Sequence, residues 1–157
     1  MATLQLANLD ARLTFLALQY HLARPGSELD PETKLPVAHG LGELAIALEP
    51  QLDRAVVAIE LNGEQRRRLI EALAGAMNEL KSYPLLAAGR RSMAPPFHEA
   101  LRRLFPGVAE DPDEATPLAG HMLTLRRKLD QLMIDTPAPA QQTRRGSRWR
   151  FWERKGA

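Results

Sequence analysis

The spacing of apolar residues predicts an all-α fold, a bundle of about five helices. Three observations carry that expectation. Apolar side chains recur three and four positions apart over most of the chain. The first such stretch has two apolar stripes instead of one. The pattern stops near residue 135, where a linker rich in Pro and Ala leads into a basic, aromatic end. The expected organisation is a helical bundle over residues 1–135, a linker over 136–143 and a tail over 144–157.

Residues 3–24 form the organising helix of this reading. At about 100° per residue, Leu6, Leu9, Leu13, Leu16 and Tyr20 share one face. Leu4, Ala11, Phe15, Leu18 and Leu22 share the opposite one. Asp10, Thr14 and His21 fill one seam between them, and Asn8, Arg12 and Gln19 the other. A surface helix needs only one apolar stripe. Burying a large apolar side chain is worth roughly 1.5–3 kcal/mol, so two stripes imply cover on both sides. Either the helix runs through the middle of the bundle, or one side meets a second copy. In the second case Phe15, Leu18 and Leu22 form the dimer face of a homodimer.

Helical spacing resumes over residues 37–61, through Leu41, Leu44, Leu48, Leu52, Ala55 and Ile59. The register passes Pro50 without a slip, so one kinked helix or two nearly in line are expected. Val56, Val57 and Ile59 also suit a strand, but a lone strand lacks a partner, and helix is the reading taken. Asn62 caps the next helix, with Gln65 placed for a capping box. Leu69, Leu73, Ala76 and Leu80 make its stripe, and it should end near Ser82, before Pro84. Residues 37–82 would then be a helical hairpin. A helix opened by Pro95 and Pro96 buries Phe97, Leu101 and Leu104. A polar, acidic stretch follows over 109–115. The last helix starts at Thr116 and Pro117 and carries Leu118, Met122, Leu125, Leu129 and Leu132. Between the first two helices, residues 25–38 hold three prolines and read as a crossing loop with one short turn at Asp30, Pro31 and Glu32.

The 157 residues suffice for one domain that buries about 70% of its unfolded surface. Cysteine is absent, which rules out disulfides and thiolate metal sites and suits a reducing cytoplasm. The N-terminus lacks the charged region and cleavage site of a secretory signal. The net charge of +2 conceals a split. Residues 144–157 hold six Lys or Arg and one Glu, a net +5. The other 143 residues hold 15 basic and 18 acidic side chains, a net −3.

Enzymatic signatures are missing. His21, His39, His98 and His121 stand too far apart for two ligands on one helical face. His21 reads as a hydrogen-bonded packing residue, while His39 and His98, near helix starts, should be exposed. Gly40 and Gly42 lack the third glycine and the preceding strand of a nucleotide loop. Glu110, Asp111, Asp113 and Glu114 lack the pattern of a calcium loop. No catalytic residue, cofactor or metal is assigned. The arginine runs at 66–68, 90–91, 102–103 and 126–127 could track phosphates if they shared a surface, but an arginine-rich helical chain exposes such runs in any case.

The tail is the most specific feature. Arg144, Arg145, Arg148, Trp149, Arg150, Phe151, Trp152, Arg154 and Lys155 include both tryptophans of the chain. Trp rings with flanking Lys and Arg suit an anionic membrane surface. Trp and Arg are also the usual anchors at protein interfaces. Stacking on single-stranded nucleic acid is the third use of the same side chains, and folding back onto the bundle the fourth. The sequence therefore predicts a non-enzymatic interaction protein, an adaptor or scaffold and a homodimer. It would be cytoplasmic, with the tail docking on a protein partner or at the membrane periphery. A nucleic-acid-associated protein and a small helical enzyme are the alternatives.

Overall fold

Two strands stand where the sequence reading placed helix. The structure, a computed structural model, describes residues 1–28, 32–33, 35, 37, 39–87 and 94–134. Strand β1 (Ala2–Ala7) pairs antiparallel with β2 (Val56–Leu61), from Ala2 opposite Leu61 to Ala7 opposite Val56. Leu4 faces Ile59 and Leu6 faces Val57, so the alternate positions of both strands share the inner side. Leu6, Val57, Ile59 and Leu61 are buried there. The start of the organising helix is thus corrected from residue 3 to Asn8. A helix puts Leu4 and Leu6 on opposite flanks, while a strand puts them on one side, and local spacing fits both. The helix expected over residues 55–61 is corrected for a related reason: β2 does have a partner, but that partner lies some fifty residues upstream.

Helix α1 (Asn8–Ala23) begins at a junction that Asn8 holds. Its backbone N–H donates to Ala55 O (3.0 Å), and its side-chain amide donates to Leu52 O (2.7 Å) and Arg54 O (2.8 Å). These bonds bring the start of β2 alongside the end of β1. From there α1 runs through the core. Ala11, Leu13, Phe15, Leu16, Ala17 and Leu18 are all buried, and α1 packs against the helices introduced next.

Helix α2 (Leu41–Leu48) follows Gly40, whose φ of 78° suits glycine. Pro50 does not kink this helix. It lies in a 3-10 turn (Glu49–Gln51) that ends the helical segment before β2. The expected hairpin over residues 37–82 is therefore a helix, a turn and a strand ahead of α3 (Gly63–Ala87). The capping box is present: Gln65 N–H donates to Asn62 Oδ1 (2.8 Å), and Asn62 N–H donates to Gln65 Oε1 (3.0 Å). Helix α3 passes Ser82 and accommodates Pro84 within its last turn.

Helix α4 (Pro95–Leu104) opens on proline and buries Phe97 and Leu101. The acidic stretch forms a short turn of helix, α5 (Gly107–Glu110), and a 3-10 turn (Pro112–Glu114). There Asp111 Oδ1 accepts the Asp113 N–H at 3.1 Å. Helix α6 (Ala115–Ile134) buries Met122, Leu125 and Leu129. It packs along α3, while α2, α3, α4 and α6 surround α1. The described part of the chain is thus mostly helical with one small sheet. No described helix is long and apolar enough to cross a membrane.

Candidate functional site

Every predicted docking residue of the tail, from Arg144, Arg145, Arg148, Trp149, Arg150, Phe151 and Trp152 to Arg154 and Lys155, lies outside the described residues, as does the linker. The expected dimer face is within them and is not a surface. Phe15 is 2% and Leu18 0% exposed, and of the three only Leu22, at 37%, reaches solvent. Phe15 and Leu18 are covered by the chain's own elements, which corrects their assignment to a dimer face, while Leu22 is partly exposed. The helix runs through the middle of the fold.

The body's titratable groups are used mainly to join elements. His21 is buried, and its Nε2 lies 3.2 Å from Glu28 Oε1. Glu28 Oε2 accepts the His39 N–H (3.0 Å), and Glu28 O accepts the Val37 N–H (2.7 Å). One glutamate thereby ties the loop after α1 to the approach to α2. Burial lowers the pKa of His21 below 6.5; Glu28 acts in the opposite direction, and Arg68 and Arg24 add to the lowering. The second buried imidazole, His98, sits 3.0 Å from Glu79 Oε2 and against the rings of Tyr83 and Phe97. It joins α4 to α3. The sequence reading expected it to be exposed at a helix start; instead it follows Phe97 onto the inner side of α4.

Two open clefts border α1. One, of about 230 Å³, is lined by Phe15, Gln19, Glu49, Glu99 and Arg103. Its cation is engaged, since Arg103 bonds Glu49 at 2.8 Å and lies 5.6 Å over the Phe15 ring. The other, of about 200 Å³, is lined by His21, Arg24, Ser27, Arg68 and Glu71. There Arg68 Nε bonds Glu64 at 2.7 Å, and the His21 imidazole is taken up by Glu28.

The arginine run at 66–68 is engaged within the fold. Arg66 is buried and donates to Leu132 O (3.0 Å), while Arg67 pairs with both Glu64 and Glu71 at 2.7 Å. These bonds, from Arg67 first and then Arg68, hold the Glu64 carboxyl at about 2. Arg12 likewise donates to Leu104 O (3.0 Å), and Lys128 meets Asp10 at 3.0 Å. The pairs of Arg67 and Arg68 with Glu64 and Glu71 stand three or four residues apart and were legible in the spacing, whereas the partners of Arg66, Arg12 and Lys128 lie far along the chain and leave no local trace. Among the described residues, no three metal-ligating side chains converge.

A third cavity, small and apolar, lies where the sheet meets the end of α6. It measures about 60 Å³ and is lined by Ala2, Thr3, Leu4, Leu61, Leu129 and Leu132, with Arg66 at its side. Nothing in the sequence marked it, since its walls come from both strands, α3 and α6. Comparison with protein-family models, with curated proteins and with solved structures gives no match.

Proposed function

We propose that this chain is a non-enzymatic interaction protein, an adaptor or scaffold, whose basic aromatic tail docks it onto an anionic membrane surface. One observation carries the reading: residues 144–157 concentrate a net +5 and both tryptophans, while the rest of the chain is net −3. Each Lys or Arg near an anionic leaflet contributes about 1 kcal/mol, and Trp rings settle at headgroup level. A short segment of this kind binds weakly and reversibly. The body supports the reading by contrast, because Arg67, Arg68 and Arg103 are compensated within the fold and leave the tail as the strongest concentration of positive charge.

Cosedimentation with vesicles tests it. The full chain should pellet with phosphatidylserine-containing vesicles and remain in solution with phosphatidylcholine alone. Deleting residues 144–157 should abolish pelleting, and raising the salt should weaken it. Equal pelleting with and without the tail would end the membrane reading. A protein recovered with the full chain but not with the tail-less one would move the docking surface to a protein partner. A salt-dependent shift of single-stranded oligonucleotide in place of vesicle binding would favour the nucleic-acid alternative.

A further inference from the structure

Strand β1 has one edge that no described strand covers. The sheet has two strands, and β1 pairs with β2 alone. The bond from Asn8 N to Ala55 O sets which residues point where. In an antiparallel ladder, residues that exchange bonds alternate with residues that do not. Asn8 and Ala55 are a bonded pair, so Leu6–Val57, Leu4–Ile59 and Ala2–Leu61 are as well. The backbone N–H and C=O of Thr3 and Gln5 therefore point away from β2, toward the open edge, and both residues are exposed. Native edges are usually protected by charge, proline or a bulge. Strand β1 has no charged residue, no proline and an unbroken register. Next to it lies the apolar groove between Leu4, Leu129 and Leu132.

We infer that the tail segment over residues 148–152 adds to β1 as a third strand when the tail is not engaged elsewhere. Its order, Arg148, Trp149, Arg150, Phe151, alternates in the period of a strand, and with Trp152 the segment is rich in strand-favouring aromatics. Laid on β1, Trp149 and Phe151 share one side, and Arg148, Arg150 and Trp152 the other. The side of Trp149 and Phe151 faces the groove, which receives the edge of one ring, and the arginines and Trp152 face solvent. This is strand addition, in which main-chain bonds give affinity and alternate side chains give specificity.

Position and charge favour this occupant. Helix α6 reaches Ile134, two residues beyond Leu132, which lines the groove. Trp149 is fifteen residues further on. A random-coil segment of fifteen residues would span about 20 Å on average, which would put the tail near the edge at roughly millimolar effective concentration. The segment is basic and the remainder of the chain net acidic. Engagement with β1 hides the same side chains that dock, so the two states compete. The inference thus rests on the docking reading and adds its regulation.

Tryptophan emission reads the outcome directly once Trp152 is replaced by Phe, because Trp149, on the groove side, is then the only tryptophan. The full-length Trp152→Phe chain is expected to show blue-shifted emission and weak acrylamide quenching, unchanged on dilution. Gln5→Pro removes an N–H that β2 does not use, as edge strands tolerate, and Leu132→Lys places a charge in the groove. Each should shift emission to the red and raise quenching to that of a free indole, with circular dichroism unchanged. The Gln5→Pro protein should also pellet more with phosphatidylserine vesicles. Solvent-exposed emission in the full chain, or shielding that survives both variants, overturns the proposal. Shielding lost on dilution also overturns it and assigns the edge to a second copy. Vesicle binding by a tail that is exposed throughout leaves the docking reading intact and removes this one. A tail that is shielded, released by Gln5→Pro and still indifferent to vesicles and protein partners does the reverse.

Discussion

Tyr20 shows how one side chain sets the distance between helices. Its ring lies against Gly75 so closely that a Cβ there would meet Tyr20 Cε1. The same ring packs edge-on to Phe97 at 6.2 Å and under Arg24 at 5.8 Å. Gly75→Ala must displace the ring and loosen both contacts, so a loss of about 1–3 kcal/mol is expected in urea unfolding. His21 provides a pH test. Burial holds its pKa below 6.5, so between that folded value and 6.5 the unfolded chain binds the proton more readily. Stability is therefore full above about pH 6.5 and declines as the pH falls through that window. Unfolding midpoints at about pH 7.5 and 5.5 should differ less in His21→Gln than in the parent. An equal slope in the two proteins would mean that another group dominates.

At the scale of elements, the capping box is the clearest case of structure written locally. Asn62→Ala leaves the Gln65 N–H without its acceptor and should cost about 0.5–2 kcal/mol. Its signal was legible because both partners stand three residues apart. The helices α3, α4 and α6 were legible for the same reason, since each repeats its apolar spacing over two turns or more, whereas α2 was read as part of a longer helix over 37–61. The sheet was not. Val56, Val57 and Ile59 suggested a strand, but the ladder depends on Leu4 and Leu6, whose spacing an amphipathic helix also allows. Ile59→Asn should be more damaging than Ala58→Asn, by several kcal/mol on general grounds for an unpaired amide in a core. Ile59 faces inward and Ala58 outward, and thermal unfolding of the two variants would measure the difference. A helical β2 would not produce this alternation. The candidate site divides in the same way. The tail was visible as composition, while the groove beside β1 is assembled from segments far apart in the chain.

For the whole molecule, charge is carried unevenly enough to be separated. Removing residues 144–157 turns a net +2 into a net −3. The shortened protein should therefore change from cation-exchange to anion-exchange retention at neutral pH, with its helical circular dichroism preserved. Loss of the helical signal would show that the tail is needed to complete the fold. The sequence by itself determined the helical character of the chain, the register of its longer helices and the segregation of charge and tryptophan at its end. These are properties of neighbouring residues, and periodicity and composition report them. Only the tertiary structure decided that the chain opens with a strand, that Phe15 and Leu18 of α1 are covered from within, and that His98 and Arg66 are buried. It also decided which edge of β1 no described strand pairs with. Each of these depends on residues brought together across tens of positions, where burial and hydrogen bonding choose between local conformations of similar energy.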